Sequence, residues 1–254
     1  MLIRVEGIVL RAVDYGEGNR ILSVLTRQAG KLSMMARGAK KVKSRFSAIS
    51  QPFTYGEFVV FRSSSQSMGT INSGELIRSH QRLREELILS AHAAYLAEMT
   101  NRLVEDGERI DGLFEQLLAA FQALEDGKDA AIITNIYEMN MLAVAGFMPK
   151  LDACVLCGGG SAELIAWSVE HGGAVCRTCR IREPQAMEAG EKVLKLLRLL
   201  QQVDLRRIGN ISISAANKAQ LNQLIRTYMD GHLHVRWKSR DFLDQISHLP
   251  FDES

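Results

Sequence analysis

Residues 27–45 read R-Q-A-G-K-L-S-M-M-A-R-G-A-K-K-V-K-S-R. Gly30 turns the chain into a strand running from Lys31 to Ala36, and a basic loop follows it. Arg27, Lys31, Arg37, Lys40, Lys41, Lys43 and Arg45 share the stretch with no Asp or Glu, so repulsion should leave the loop disordered or extended until something anionic lies against it. A strand delivering such a loop predicts a small β-barrel that presents positive charge, and a phosphate backbone is the anion that suits it. An isolated Lys/Arg cluster also reads as a plain solvated loop. Just downstream, Phe46, Phe53, Tyr55, Phe58 and Phe61 offer faces on which unpaired bases can stack, although core packing is the ordinary role of most such rings.

Outward from this stretch, Leu2 to Val13 alternates with β-branched enrichment, Asp14 to Asn19 is a turn, and Ile21 to Thr26 is a second strand. Beyond the loop, Tyr55 to Arg62 reads as a fourth strand, Ser63 to Ser67 as a polar loop and Met68 to Ile77 as a fifth strand. Five short strands in about 80 residues suit a closed barrel such as the OB-fold, whose grooves bind oligonucleotides; a five-stranded SH3-like barrel fits nearly as well.

The 254 residues are 46% apolar and 24% charged, the balance of a soluble globular protein. The uncharged stretches Leu87 to Ala97 and Met139 to Pro149 fall short of the ~18–20 residues a membrane span needs. Arg4 and Glu6 interrupt any signal-peptide core, so a cytoplasmic location is expected. Net charge is only +2, yet residues 1–82 carry 13 Lys+Arg against 5 Asp+Glu while residues 83–254 carry 18 against 24. That asymmetry predicts a nucleic-acid-facing front and a back with another role.

From about Ser79 the spacing turns helical. A long central helix is expected over Gln81 to Val104, a second over Leu113 to Leu124 closed by Gly127, and a third over Ile132 to Ala143 closed by Gly146 and Pro149, the three packing as a bundle. Pro184 should open another helix, Ile208 to Ile213 is β-like, and Ser214 should cap a helix stopped by Gly231. Ser239 should cap the last one, with Phe242, Leu243 and Ile246 turned inward. Between them, Tyr228 to Arg240 gathers His232, His234, Arg236, Trp237, Lys238 and Arg240, a candidate for an acidic peptide or a DNA strand.

The most specific motif is Cys154-Val-Leu-Cys157 and, 18 residues on, Cys176-Arg-Thr-Cys179, which together hold all four cysteines. Two C-x-x-C turns can form a tetrahedral thiolate cage for one structural Zn²⁺, with Glu163 to Val169 as a strand that returns to Cys176. Two disulfides are the alternative, disfavoured in a reducing cytosol. Four thiolates leave a formal charge of −2 around zinc, which Lys150, Arg177, Arg180 and Arg182 would balance. The chain has no G-x-S-x-G, Walker-type loop or H-E-x-x-H, so an enzyme ranks below a binding protein. A zinc-ribbon transcription or RNA-associated protein, reading nucleic acid through residues 154–179, is the alternative function.

With these pieces placed, residues 2–245 resemble the bacterial RecO recombination-mediator family. The resemblance is carried by V-E-G-I-V-L-R at Val5–Arg11, the basic block Ala36–Phe46, Q-P-F at Gln51–Phe53, A-G-F-x-P at Ala145–Pro149, the cysteine pairs, and W-K-S-R-D-F-L at Trp237–Leu243. It implies an α+β protein: an N-terminal five-stranded OB-fold over residues 1–79, then a helical domain over residues 80–254 with an inserted four-cysteine zinc knuckle at 150–182. It also implies binding of single- and double-stranded DNA, strand annealing, contact with single-strand binding protein and, with RecR, loading of RecA, in the cytoplasm at the nucleoid. Within the family's DNA-binding loop the matching positions here are Arg37, Lys40, Lys41, Lys43 and Arg45, with Lys31 beside them.

Overall fold

The computed structural model describes residues 1–64, 67–160 and 163–247. By compactness these form two units, one of residues 1–130 with the C-terminal segment from Trp237, the other of Ala131–Arg236. Strand gives way to helix near residue 80, but helices beyond that point share the first unit with the barrel.

In the first unit β1 (Leu2–Tyr15), β2 (Asn19–Thr26), β3 (Gly30–Ala36), β4 (Tyr55–Phe61) and β5 (Gly69–Arg78) close into a barrel in the order β1-β2-β3-β5-β4. Of the polar loop expected over Ser63–Ser67, Ser65 and Gln66 lie outside the described residues. β1 is long enough to serve two neighbours: Leu2 to Ile8 pairs with β4 and Gly7 to Tyr15 with β2, with a register shift between Val9 and Arg11 bending the strand. β4 returns to β1 instead of β3, so β5 closes the ring and runs parallel to β3 at Met34 and Met35. This crossed order is the Greek-key closure of an OB-fold.

The loop between β3 and β4 is not extended. Consecutive turns run along it, including Lys41 N–H to Gly38 O at 3.1 Å, Ser44 N–H to Lys41 O at 2.9 Å and Ser50 N–H to Phe46 O at 3.0 Å. Ala39, Phe46 and Ile49 are buried in the barrel core with Val5, Leu22 and Phe58. Fully burying side chains the size of Phe46 and Ile49 contributes about 1.5–3 kcal/mol each, enough to offset the repulsion among cations left on the outside.

The expected helix over Gln81–Val104 is interrupted. A single turn, α1 (Arg82–Glu85), is held by the Arg84 guanidinium, which donates to the carbonyls of Pro52, Ser79 and His80; Glu86 is extended, and α2 (Leu87–Leu103) restarts after it. Periodicity misses the break because Leu83 before it and Ala91 after it are both buried at helical spacing. α3 (Leu113–Glu125) packs on α1 and α2 within this unit.

α7 (Lys238–Ser247) also packs on α2, through Trp237, which is fully buried edge-to-face against Tyr95 at 6.2 Å. Its first turn is capped not by Ser239 but by Glu98 of α2, whose carboxylate accepts from Lys238 N–H at 3.2 Å and Ser239 N–H at 2.8 Å. Leu243 and Ile246 face inward as expected, whereas Phe242 is exposed. Glu98→Ala should lower the stability of the folded chain by about 1–2 kcal/mol, the scale of a lost cap, while Glu98→Gln, which keeps an acceptor, should lose less. Urea midpoints measure this, and equal midpoints for wild type and Glu98→Ala would refute the capping role.

The second unit contains α4 (Ala130–Val144), β6 (Leu164–Ser168), β7 (Gly173–Cys176), β8 (Met187–Glu188), α5 (Glu191–Gln202) and α6 (Ala215–Leu233). Of the three helices expected to form a bundle, α2 and α3 fall in the first unit and α4 in this one. The helix expected after Pro184 forms later than expected: the chain first adds β8 to the edge of β6, and α5 starts after Gly190, burying Val193, Leu194, Leu197 and Leu200. Residues 208–213 form no strand, since β-branched residues without a neighbouring strand have no ladder to join. Ser214 caps α6 as expected, accepting from Asn217 N–H at 3.4 Å. α6 continues past Gly231, where a Cβ would stand 2.5 Å from Val169 Cγ1, so that glycine serves a close approach rather than a stop.

Candidate nucleic-acid interface and metal centre

Six cations were expected to face nucleic acid, and the barrel divides them. Arg37, Lys41, Lys43 and Arg45 are exposed and line one groove of about 530 Å³ between the β3–β4 loop and Thr70–Asn72 of β5. Arg45 is preset, with its guanidinium 4.7 Å from the Phe46 ring centroid and Nη2 donating to Asn72 O at 2.9 Å. Among the described residues no carboxylate pairs with these four side chains. Lys40 instead binds Asp14 Oδ2 at 2.9 Å, a contact that leads Arg20 in holding the Asp14 carboxyl below its usual range. Lys40 thus ties the loop to the β1–β2 hairpin.

Lys31 is taken up by the protein itself. Its Nζ donates to Asn101 O at 2.7 Å and pairs with Asp106 at 3.2 Å, with the side chain 12% exposed. Gly107 N–H donates to Lys31 O at 2.7 Å, so residues 106–107 cover an edge of β3 that β5 leaves unpaired. Gly30 adopts φ +67° there, and a Cβ on it would meet Glu108 O at 2.0 Å. Arg27, at the head of the basic stretch, reaches Glu6 at 3.2 Å and lies 4.5 Å over the Phe114 ring, joining the barrel to α3.

Of the five aromatics offered as stacking faces, Phe46, Phe53 and Phe58 are buried and Tyr55 is half-buried against Phe114. Only Phe61 is open, 55% exposed, as the cross-strand partner of Thr70 on the groove wall. Of the cluster at residues 228–240, Tyr228 and His232 are tilted against each other with ring centroids 4.3 Å apart in the second unit, and Trp237 is a core residue of the first.

The cysteines converge. Cys154 and Cys157 flank a turn, Cys176 ends β7 and Cys179 precedes a short 3₁₀ turn at Arg180–Arg182; none is in a disulfide, and all four sulfurs lie within 4.8 Å of one another. Four sulfurs about 2.3 Å from a common ion have tetrahedral edges of about 3.8 Å, and Cys157 Sγ and Cys176 Sγ are 3.9 Å apart. Burial works against ionising Cys154, but backbone N–H groups of Cys176, Cys157 and Leu156 outweigh it, and its thiol is lowered to about 6. At Cys179 the Arg182 guanidinium, 2.8 Å from Sγ, favours the thiolate; burial and hydrogen bonds with the other three sulfurs overcome it and push that thiol up to about 11. A divalent cation binds thiolates in place of their protons, and these four sulfurs lie close enough together to share one. The site can hold a metal ion.

Of the cations expected to balance that charge, Arg182 reaches a sulfur, donating to Cys179 Sγ, whereas Arg177 forms a two-pronged pair with Glu163 at 2.8 and 2.9 Å and Arg180 donates to Glu183 O. Lys150 contributes backbone, pairing with Gly172 and Ala174 along β7. Among the described residues no helix is long and apolar enough to cross a membrane.

Comparison with known proteins agrees with this architecture. Residues 1–80 match the family described as Recombination protein O N terminal, and residues 84–241 match Recombination protein O C terminal. The DNA repair protein RecO of Bacillus subtilis is 42% identical over 249 residues, covering 98% of this chain and 96% of its own. That of Halalkalibacterium halodurans is 40% identical over 253 residues, covering 100% of this chain and 98% of its own, and that of Bacillus pumilus is 41% identical over 249 residues, 98% and 96% respectively. With a Greek-key barrel followed by helices and a four-cysteine cluster, and with both family halves matched in order, the chain belongs to the RecO family of DNA repair and recombination proteins.

Proposed function

We propose that this chain is a non-enzymatic recombination mediator, in which residues 1–79 hold single- and double-stranded DNA and residues 80–254 engage other proteins. It anneals complementary strands, binds single-strand binding protein and, with RecR, promotes RecA loading on DNA at the nucleoid in the cytoplasm. The observation that carries this reading is the groove at Arg37, Lys41, Lys43 and Arg45, four exposed cations free of carboxylate partners among the described residues. Cations so arranged displace counterions from a polyanion, a gain in solvent entropy that needs no base-specific contact and serves single and double strands alike.

The same reading assigns one structural Zn²⁺ to Cys154, Cys157, Cys176 and Cys179. Four thiolates close the coordination sphere, so the ion when bound supplies cross-linking of β7 to its flanking turns and leaves no position open to water. Strand annealing tests the mediator role directly. Complementary oligonucleotides should pair faster with the protein than without it, both naked and coated with single-strand binding protein; no acceleration in either condition would overturn the proposal.

A further inference from the structure

Tyr15 stands apart from the other four tyrosines: Tyr95, Tyr137 and Tyr228 are buried, Tyr55 is half-buried on Phe114, and Tyr15 is 55% exposed at the tip of the β1–β2 hairpin. That hairpin is fastened to the basic loop at three points. Asn19 Oδ1 accepts from Gly38 N–H at 2.9 Å, Gly18 O accepts from Lys40 N–H at 3.1 Å, and Asp14 pairs with Lys40. Asn19 is the antiparallel register partner of Tyr15, so the two side chains share a face of the hairpin and the ring stands beside the residue that holds Gly38. Arg37, the first cation of the groove, is the next residue along.

An exposed aromatic face held beside a row of phosphate-binding cations is the arrangement that takes unpaired bases, since stacking on one side of a strand leaves its phosphates to the other. Glu17 lies exposed in the same turn and repels phosphate there, so a base rather than the backbone suits the position. We propose that Tyr15 is a base-stacking platform that adds to the strand-indifferent loop groove a contact that only unpaired bases can make. This rests on the reading of the groove as a DNA site and adds to it the part of the strand that is recognised: phosphates by the loop, one base by the hairpin.

The test uses the full chain with three probes of equal length, an oligo-dT, an abasic strand and a duplex. Tyr15→Ala, at an exposed position, should weaken oligo-dT binding by about five- to 150-fold and leave abasic and duplex binding unchanged. Tyr15→Trp should keep oligo-dT affinity, and its added indole emission should be quenched by oligo-dT and by neither other probe; Trp167 and Trp237 are fully buried and give a constant background. Equal oligo-dT affinity for wild type and Tyr15→Ala, or an indole that does not respond while oligo-dT is bound, would overturn the stacking role and leave the groove standing. Wild-type protein that binds none of the three probes would overturn the groove and the platform together.

Discussion

Replacing Arg37, Lys41, Lys43 and Arg45 together by glutamate should weaken single-strand binding by roughly three decades at 0.1 M salt. The estimate follows from counterion release. Each neutralised phosphate contributes a slope of about −0.7 in log affinity against log salt, so four contacts are worth about 0.7 log units apiece at that concentration, and the slope itself should flatten by about 3. The substitutions fall on exposed side chains while Ala39, Phe46 and Ile49, which anchor the loop, are untouched, so the fold should survive them. Lys31→Ala is the contrasting variant: its ammonium is bound to Asn101 and Asp106, so it should lower stability more than DNA affinity. Fluorescence anisotropy titrations at several salt concentrations measure both quantities, and an unchanged slope in the folded quadruple variant would remove the loop from the DNA site.

Metal removal should have the other large effect. Structural zinc sites supply apparent binding energies of about 10–16 kcal/mol, comparable with or larger than the ~5–15 kcal/mol of an entire domain's stability. Purified protein should therefore carry about one equivalent of zinc, and stripping it, or the double substitution Cys154→Ser with Cys179→Ser, should unfold the β6–β7–β8 element. Trp167 on β6, packed on Tyr228 with ring centroids 5.1 Å apart, reports this in a Trp237→Phe background where it is the remaining indole. Its emission should shift red on chelation. A stripped protein with unshifted emission would show that the four cysteines pack without needing an ion.

Much of the candidate site was legible because its chemistry is local. Two C-x-x-C turns bring their sulfurs to one side wherever they occur, and their 18-residue insert has room for one hairpin, which is what β6 and β7 form. The basic loop was legible for the same reason, since charge and spacing are written along the chain. The division of labour inside it was not. Lys31, Lys40 and Arg45 look equivalent as letters, yet one is bound by Asn101 in the last turn of α2 and Asp106 just past it, one by Asp14 from β1, and one faces the groove. Tyr15 gave no signal because Asp14 to Asn19 reads as a turn, and a turn residue says nothing of what its ring stands beside.

The helical part shows the same limit. Apolar periodicity located α2, α3, α4 and α6, because one face of each must be buried and the 3.6-residue period records that face. It could not show that Arg84 interrupts the first of these at Glu86, nor that Glu98 caps α7, since both depend on partners more than thirty residues away.

The amino-acid order by itself thus determined the five strands, the helical remainder, the four-cysteine cluster and the cationic loop, all of which are written in short motifs and local periodicity. Tertiary structure alone decided the crossed closure of the barrel, which cations stay free for a polyanion, and which aromatic rings face water. Those outcomes depend on where distant carboxylates, carbonyls and strand edges come to lie, and such placement is a property of the folded chain.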